Sequence, residues 1–184
     1  MGRHKVINPA TILDAAEQIV RTQGIAALTI DAVAKSAGIT KGGVQSSFGT
    51  KDALIDAMYK RWEGEFDVMT SSLMGGDTSP QARIRAHIDV TRQADAVECD
   101  RAAGMMAALL KMPDYLLKSK NWYATRLAGL DLNTQEGREA RLAFLASEGI
   151  FMLRSFGFMA VDDETWQDVF DDITAMMPNP SSRV

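Results

Sequence analysis

Apolar residues recur at helical spacing along almost the whole chain. Between Pro9 and Gly24, Ile12, Ala15, Ala16, Ile19 and Val20 fall on one side, the stripe that an amphipathic helix buries. Pro9 suits a first helical turn, where its missing N–H costs nothing, and Gly24 suits the stop. Two short helical segments follow, from Ile30 to Ala37 and from Thr40 to Phe48. A longer one opens at Lys51. Leu54, Ala57, Met58, Trp62, Phe66 and Met69 hold its period to Met74, where Gly75-Gly76-Asp77 breaks it. Five more helical patterns run at about 80–96, 98–111, 114–129, 134–156 and 163–177, with Ser79-Pro80, Pro113 and Asp131-Leu132-Asn133 among the breaks. No alternating run is long enough to predict a strand. The pattern predicts an all-α fold of about nine helices.

Thr29, Thr40 and Thr50 each stand just before a helical pattern. A threonine hydroxyl there can accept from the unpaired N–H groups of a helix start. Closely spaced helix starts, with two short helices between longer ones, predict a helix-turn-helix braced by a supporting helix. Ile30, Val33, Ala34, Ile39, Val44 and Phe48 can share one small core with Ile12, Ile19 and Leu54. Gly38 can take the positive φ of the turn. Lys41, Gly42, Gly43, Gln45 and Ser46 are then expected to face outward from the second short helix.

The net charge of −4 looks wrong for a nucleic-acid binder until the chain is divided. Residues 1–62 carry an excess of three positive charges and residues 63–184 an excess of seven negative ones. The basic excess thus sits where a nucleic-acid contact would use it. We expect a DNA-binding domain over 6–62 and a helical ligand-binding and dimerisation domain over 63–184. Cys99, the sole cysteine, excludes an intramolecular disulfide. Neither a signal-peptide pattern nor a run of about 18 apolar residues is found. The expectation is a cytoplasmic protein without membrane contact. No paired His or Cys spacing suggests a metal, and no acid, base or nucleophile constellation suggests an enzyme. No cofactor is expected.

The segment Thr29-Ile-Asp-Ala-Val-Ala-Lys-Ser-Ala-Gly-Ile-Thr-Lys-Gly42, followed by Phe48 and Thr50-Lys-Asp-Ala-Leu54, resembles the signature of the TetR family of bacterial regulators. The likeness covers roughly residues 9–62. It implies a homodimer on double-stranded DNA, with the helix at 40–47 entering the major groove. By that resemblance Thr40, Lys41, Gly42, Gly43 and Ser46 lie closest to DNA, and Gln45 is placed to pair with adenine. Thr29 and Lys51, at helix starts, would hold phosphates. Arg3, His4 and Lys5 form a basic arm. The family often carries Tyr and His just before the Phe of this helix; here Gln45, Ser46 and Ser47 occupy the stretch, so less aromatic packing reaches the DNA backbone.

Nine of the eleven methionines follow residue 62, and methionine lines adaptable pockets well. Met105, Met106, Trp122, Tyr123, Phe144 and Phe151 are the expected wall of a small-molecule site. Glu148 lies in Leu142-Ala-Phe-Leu-Ala-Ser-Glu-Gly-Ile-Phe-Met-Leu153, apolar on nearly every side. A buried carboxylate needs a partner: Arg101, Arg126, Arg154 or a cationic ligand. His87 offers no obvious companion. The expected dimer face comprises Leu142, Leu145, Ala146, Gly149 and Leu153 with Trp166, Val169, Phe170 and Ile173. The expectation is a ligand-released repressor of an efflux or detoxification gene. A ligand-activated regulator, and a small-molecule-binding scaffold that no longer reads DNA, are the alternatives.

Overall fold

A computed structural model of the chain describes residues 8–110, 112 and 114–177. Among these residues there are nine α-helices, one short 3₁₀ turn and no strand. The helices are α1 (Pro9–Gln23), α2 (Ile30–Ala37), α3 (Lys41–Phe48), α4 (Lys51–Met74), α5 (Pro80–Arg92), α6 (Ala96–Leu109), α7 (Tyr115–Leu127), α8 (Gln135–Ser155) and α9 (Asp163–Ala175). The all-α expectation holds, and most helix ends fall within two residues of the expected ones. The main departure is the break between α5 and α6. It comes at Gln93–Asp95, where no glycine or proline marks it. Asp95 supplies the stop-and-start instead, its Oδ1 accepting from Glu98 N at 2.9 Å. The turn Ile25–Ala27 was also unsignalled.

The described chain packs as two units. The first holds the residues up to Gly64 together with Asp100–Tyr115; the second holds Glu65–Cys99 and the residues from Leu116 onward. The expected division falls after residue 62; here the first unit runs to Gly64 and takes in residues 100–115 as well. The reason is a second apolar stripe. Met105, Ala108 and Leu109 of α6 complete a core with Ile12, Ala16, Ile19, Val33, Val44, Leu54 and Met58. Gly104 makes the approach possible: a Cβ there would lie 2.7 Å from Val20 Cγ1. Ion pairs reinforce the same junction. Arg61 binds Asp14 at 2.7 Å and Glu17 at 2.6 Å, and Arg101 reaches Glu17 at 3.3 Å. Burial opposes the charge of Arg61, but the hydrogen bonds it donates to Asp14 and Glu17 outweigh it and hold the guanidinium above its usual value.

In the second unit α5, α8 and α9 pack on one another. Phe144, Trp166, Phe170, Ile84 and Ile88 fill the core, each at most 1% exposed. Trp166 also satisfies its one donor, giving Nε1–H to the carbonyl of Arg92 at 2.8 Å. This placement corrects part of the expected dimer face. Trp166, Phe170 and Ile173 are buried in their own subunit's core, because α9 must cover α5 and α8 before it can cover anything else. Val169 is half-buried against the same core. Leu142, Leu145 and Leu153 of α8 remain exposed.

Candidate functional site

The first candidate site is the exposed face of α3. Three threonines build it, as their positions suggested. Thr29 Oγ1 accepts from Ala32 N, Thr40 Oγ1 from Gly43 N and Thr50 Oγ1 from Ala53 N, each at 3.1 Å. Gly38 closes α2 at φ +65°, in the left-handed region where a side chain is strained. Val44 of α3 and Val33 of α2 are both fully buried and fix α3 against its neighbours. Lys41, Gly42, Gln45, Ser46 and Ser47 remain exposed; the first four, at positions i, i+1, i+4 and i+5, form one continuous helical face.

Gly43 does not belong to that face. It is buried, and its N–H is occupied by the Thr40 side chain and by the Thr40 carbonyl at 2.9 Å. Gly42 is different: a Cβ there would meet nothing nearer than Thr40 Oγ1 at 4.0 Å. The fold does not require glycine at 42, and glycine in a helix interior costs about 1 kcal/mol relative to alanine. Lys41 is engaged at the surface, 3.1 Å from Asp31, with both side chains more than half exposed. Such a pair is worth under about 1 kcal/mol. Lys51 Nζ lies 3.4 Å from the carbonyl of Ile25, close to the start of α4. Arg3, His4 and Lys5 lie outside the described residues.

The second candidate site centres on Glu148, in the other unit. Its partner is none of the three arginines weighed above. Oε1 meets His87 Nε2 at 2.7 Å, and Oε2 accepts from the Tyr123 hydroxyl at 2.6 Å. In its Nε2–H tautomer His87 donates this bond to the carboxylate. His87 is 1% exposed. Its ring packs on Phe144, Phe66 and Trp122 at centroid distances of 4.6, 5.0 and 5.7 Å. Tyr123 stands edge-on to Trp122 at 5.0 Å. Arg126 lays its guanidinium 4.4 Å from the Trp122 ring centre and 5.7 Å from that of Phe66, and pairs with Asp67. Two buried nitrogens here, His87 Nδ1 and Arg126 Nε, have no hydrogen-bond partner.

Trp122, Tyr123, Phe144 and Glu148 lie together. Phe151 lies at the edge of the same core. Met105 is not with them: it is 1% exposed within the first unit's core. Met106, its neighbour on α6, is half-buried and likewise belongs to that unit. His87 and Phe66 were missed, and Arg126, weighed as a partner of Glu148, instead stacks on Trp122 and Phe66. A signal for His87 existed in the stripe Ile84, His87, Ile88, Thr91, where a helical period places the imidazole among buried neighbours. Phe66, and the stacking of Arg126 upon it, gave no such signal, because an arginine over an aromatic ring requires knowing which helices meet.

A capped helix-turn-helix followed by a separate helical unit with a buried polar centre defines a helix-turn-helix regulator architecture. Two family profiles match the chain: "Bacterial regulatory proteins, tetR family" over residues 12–58 and "Tetracyclin repressor-like, C-terminal domain" over residues 81–178. The chain belongs to the TetR family. Its members matched here are transcriptional regulators. One is the HTH-type transcriptional regulator BetI of Rhizobium meliloti, 27% identical over 96 residues, which are 52% of this chain and 47% of that protein. The chain thus spans about half the length of the curated relative it matches. Among solved structures, a transcriptional regulator from Rhodococcus sp. Rha1 aligns over 93% of this chain and 96% of its own, at 20% identity and a TM-score of 0.70. The multidrug binding protein EbrR, solved with imidazole, aligns over 96% and 98% at 20% identity and a TM-score of 0.63. The fatty acid degradation regulator FadR of Bacillus halodurans aligns over 98% and 100% at 17% identity and a TM-score of 0.66. These structural likenesses establish the fold. Among the described residues no helix is long and apolar enough to cross a membrane, and no cluster of His, Cys, Asp and Glu could hold a metal.

Proposed function

We propose that this protein is a ligand-responsive repressor that grips an inverted-repeat operator as a homodimer and is released by a small hydrophobic cation. The observation that carries it is the exposed face of α3, with Gly42 open and Lys41 and Gln45 beside it, mounted on the apolar core of the first unit. Two copies of α3 about one DNA turn (roughly 34–36 Å) apart would enter successive major grooves. Gly42 admits the DNA backbone, Lys41 trades Asp31 for a phosphate, and Gln45 reads a base edge. The exposed leucines of α8, with Ala146 and Gly149 between them, supply the partner face. α4 and α6 each contribute residues to both units, and on this reading they carry the signal. A ligand that favours the wrong spacing weakens DNA binding by the same coupling energy, typically about 1–3 kcal/mol. The multidrug binding of EbrR supports a lipophilic ligand, and an efflux or detoxification gene is the corresponding target.

The test is a footprint on the DNA flanking the protein's own gene, with and without a panel of hydrophobic cations and anions. A protected inverted repeat, released by a cation, is expected. Lys41→Ala should weaken operator binding and lower the salt dependence of log K by about one phosphate's worth. No protected site at any salt, there or in a genome-wide selection, would overturn the reading in favour of a binding scaffold.

A further inference from the structure

The Glu148 centre holds a cation already. Arg126 places a flat, delocalised positive charge against Trp122 and Phe66, at 4.4 and 5.7 Å, with its side chain only 12% exposed. Its ion-pair partner Asp67 is half exposed, and its Nε is buried without a hydrogen bond. A guanidinium held this way is poorly satisfied for a buried charge. The rings it covers are the ones that continue into His87, Tyr123 and Glu148: Trp122 contacts both His87 and Tyr123, and each of these binds one oxygen of Glu148. On α7, Trp122, Tyr123 and Arg126 sit at i, i+1 and i+4, so ring, hydroxyl and cation share one helical face.

From this we infer that Arg126 is a resident stand-in for the effector, and that the effector is a planar, delocalised organic cation that takes its place on the Trp122–Phe66 platform. The inference deepens the proposed ligand-released repressor and rests on its effector site. Aromatic faces attract cations through their quadrupoles, most strongly when desolvated. An arriving heteroaromatic cation gains the platform, and the nearby Glu148 carboxylate supplies the counter-charge. The displaced guanidinium swings toward solvent with Asp67, where both charges are better hydrated. A resident occupant also taxes affinity, because the ligand binds only the fraction of molecules in which the arginine has left. Neutral flat molecules gain the stacking but not the charge, so the site prefers the cation.

The decisive comparison uses 10-methylacridinium and neutral acridine, near-identical in shape, titrated at pH 8 into the full-length protein by calorimetry. Arg126→Met keeps the apolar stem and removes the occupant; Arg126→Gln keeps a polar donor. Both are checked for helicity and thermal unfolding, so that a misfolded variant is recognised and the other carries the test. The expected result is methylacridinium binding tightened roughly threefold to thirtyfold in both variants, with the preference over acridine increased. Methylacridinium affinity unchanged or weakened in folded variants would make Arg126 a structural brace and overturn the inference. So would an absence of methylacridinium binding to any of the proteins. Operator binding, measured separately without compound, reports on the repressor reading alone: a variant that tightens the cation in a protein with no operator keeps the inference and loses the repressor.

Discussion

Single side chains decide how closely these helices approach. Gly104 is the clearest case, since a Cβ there would fall 2.7 Å from Val20 Cγ1, and Val20 is a buried, β-branched residue with little freedom to turn. Gly104→Ala gains about 1 kcal/mol of helix propensity and loses about 1–3 kcal/mol to overpacking. The expected net is a modest destabilisation in urea unfolding. Val20→Ala alone leaves a cavity and also destabilises. The double variant should be more stable than the sum of the two losses predicts, by at least about 1 kcal/mol; simple additivity would mean that the two residues do not meet. No glycine rule read along the chain finds this contact, because Gly104 lies in mid-helix, far from any turn. Gly38 was legible for the opposite reason: its duty is local, set by the turn it closes. Glu148 lies between these cases. Its need for a partner could be read from its apolar neighbours, but the partner's identity depends on which faces of α5, α7 and α8 converge.

At the scale of the element, helix starts were the best-read feature of the chain, because a cap and its helix are neighbours in sequence. Thr29, Thr40, Ser79, Thr134 and Asp162 all cap as side-chain acceptors. Asp162 adds a titration. Hydrogen bonds from the Thr165 hydroxyl and then its N–H hold the Asp162 carboxyl below its ordinary value. A depressed folded value means that the carboxylate stabilises α9 above the unfolded pKa, and that this contribution fades as pH falls through the folded one. Asp162→Asn keeps a capping oxygen but removes the proton equilibrium. Unfolding midpoints across pH 2–6 should therefore vary less in the variant below about pH 4, and an unchanged pH profile would show that the cap carries no such linkage. The dimer elements were less legible. The periodic apolar face of α9 could serve an inner core or a partner equally well, and only packing reveals that Trp166, Phe170 and Ile173 turn inward.

For the molecule as a whole, the proposed dimer concentrates on α8. Leu142, Leu145 and Leu153 are 39–53% exposed, whereas the outward positions of α9 include Glu164, Asp168, Asp171 and Asp172, which would repel a like surface. Leu145→Glu leaves the subunit core untouched and should convert the dimer to a monomer in sedimentation velocity. Operator affinity should fall by about 10²–10⁴ through loss of the second half-site. A dimer that survives this charge would place the interface elsewhere. The composition of the first unit carries a different consequence, for the order in which the protein is made. Its core is assembled from two stretches of chain, and Met105, Ala108 and Leu109 reach it only after all of α5 and most of α6 have been synthesised. A nascent or truncated chain ending near Gly64 has an open core. On the proposed function, α2 and α3 thus gain their full packing only when the sequence through α6 already exists, which disfavours an early, unregulated DNA-binding fragment.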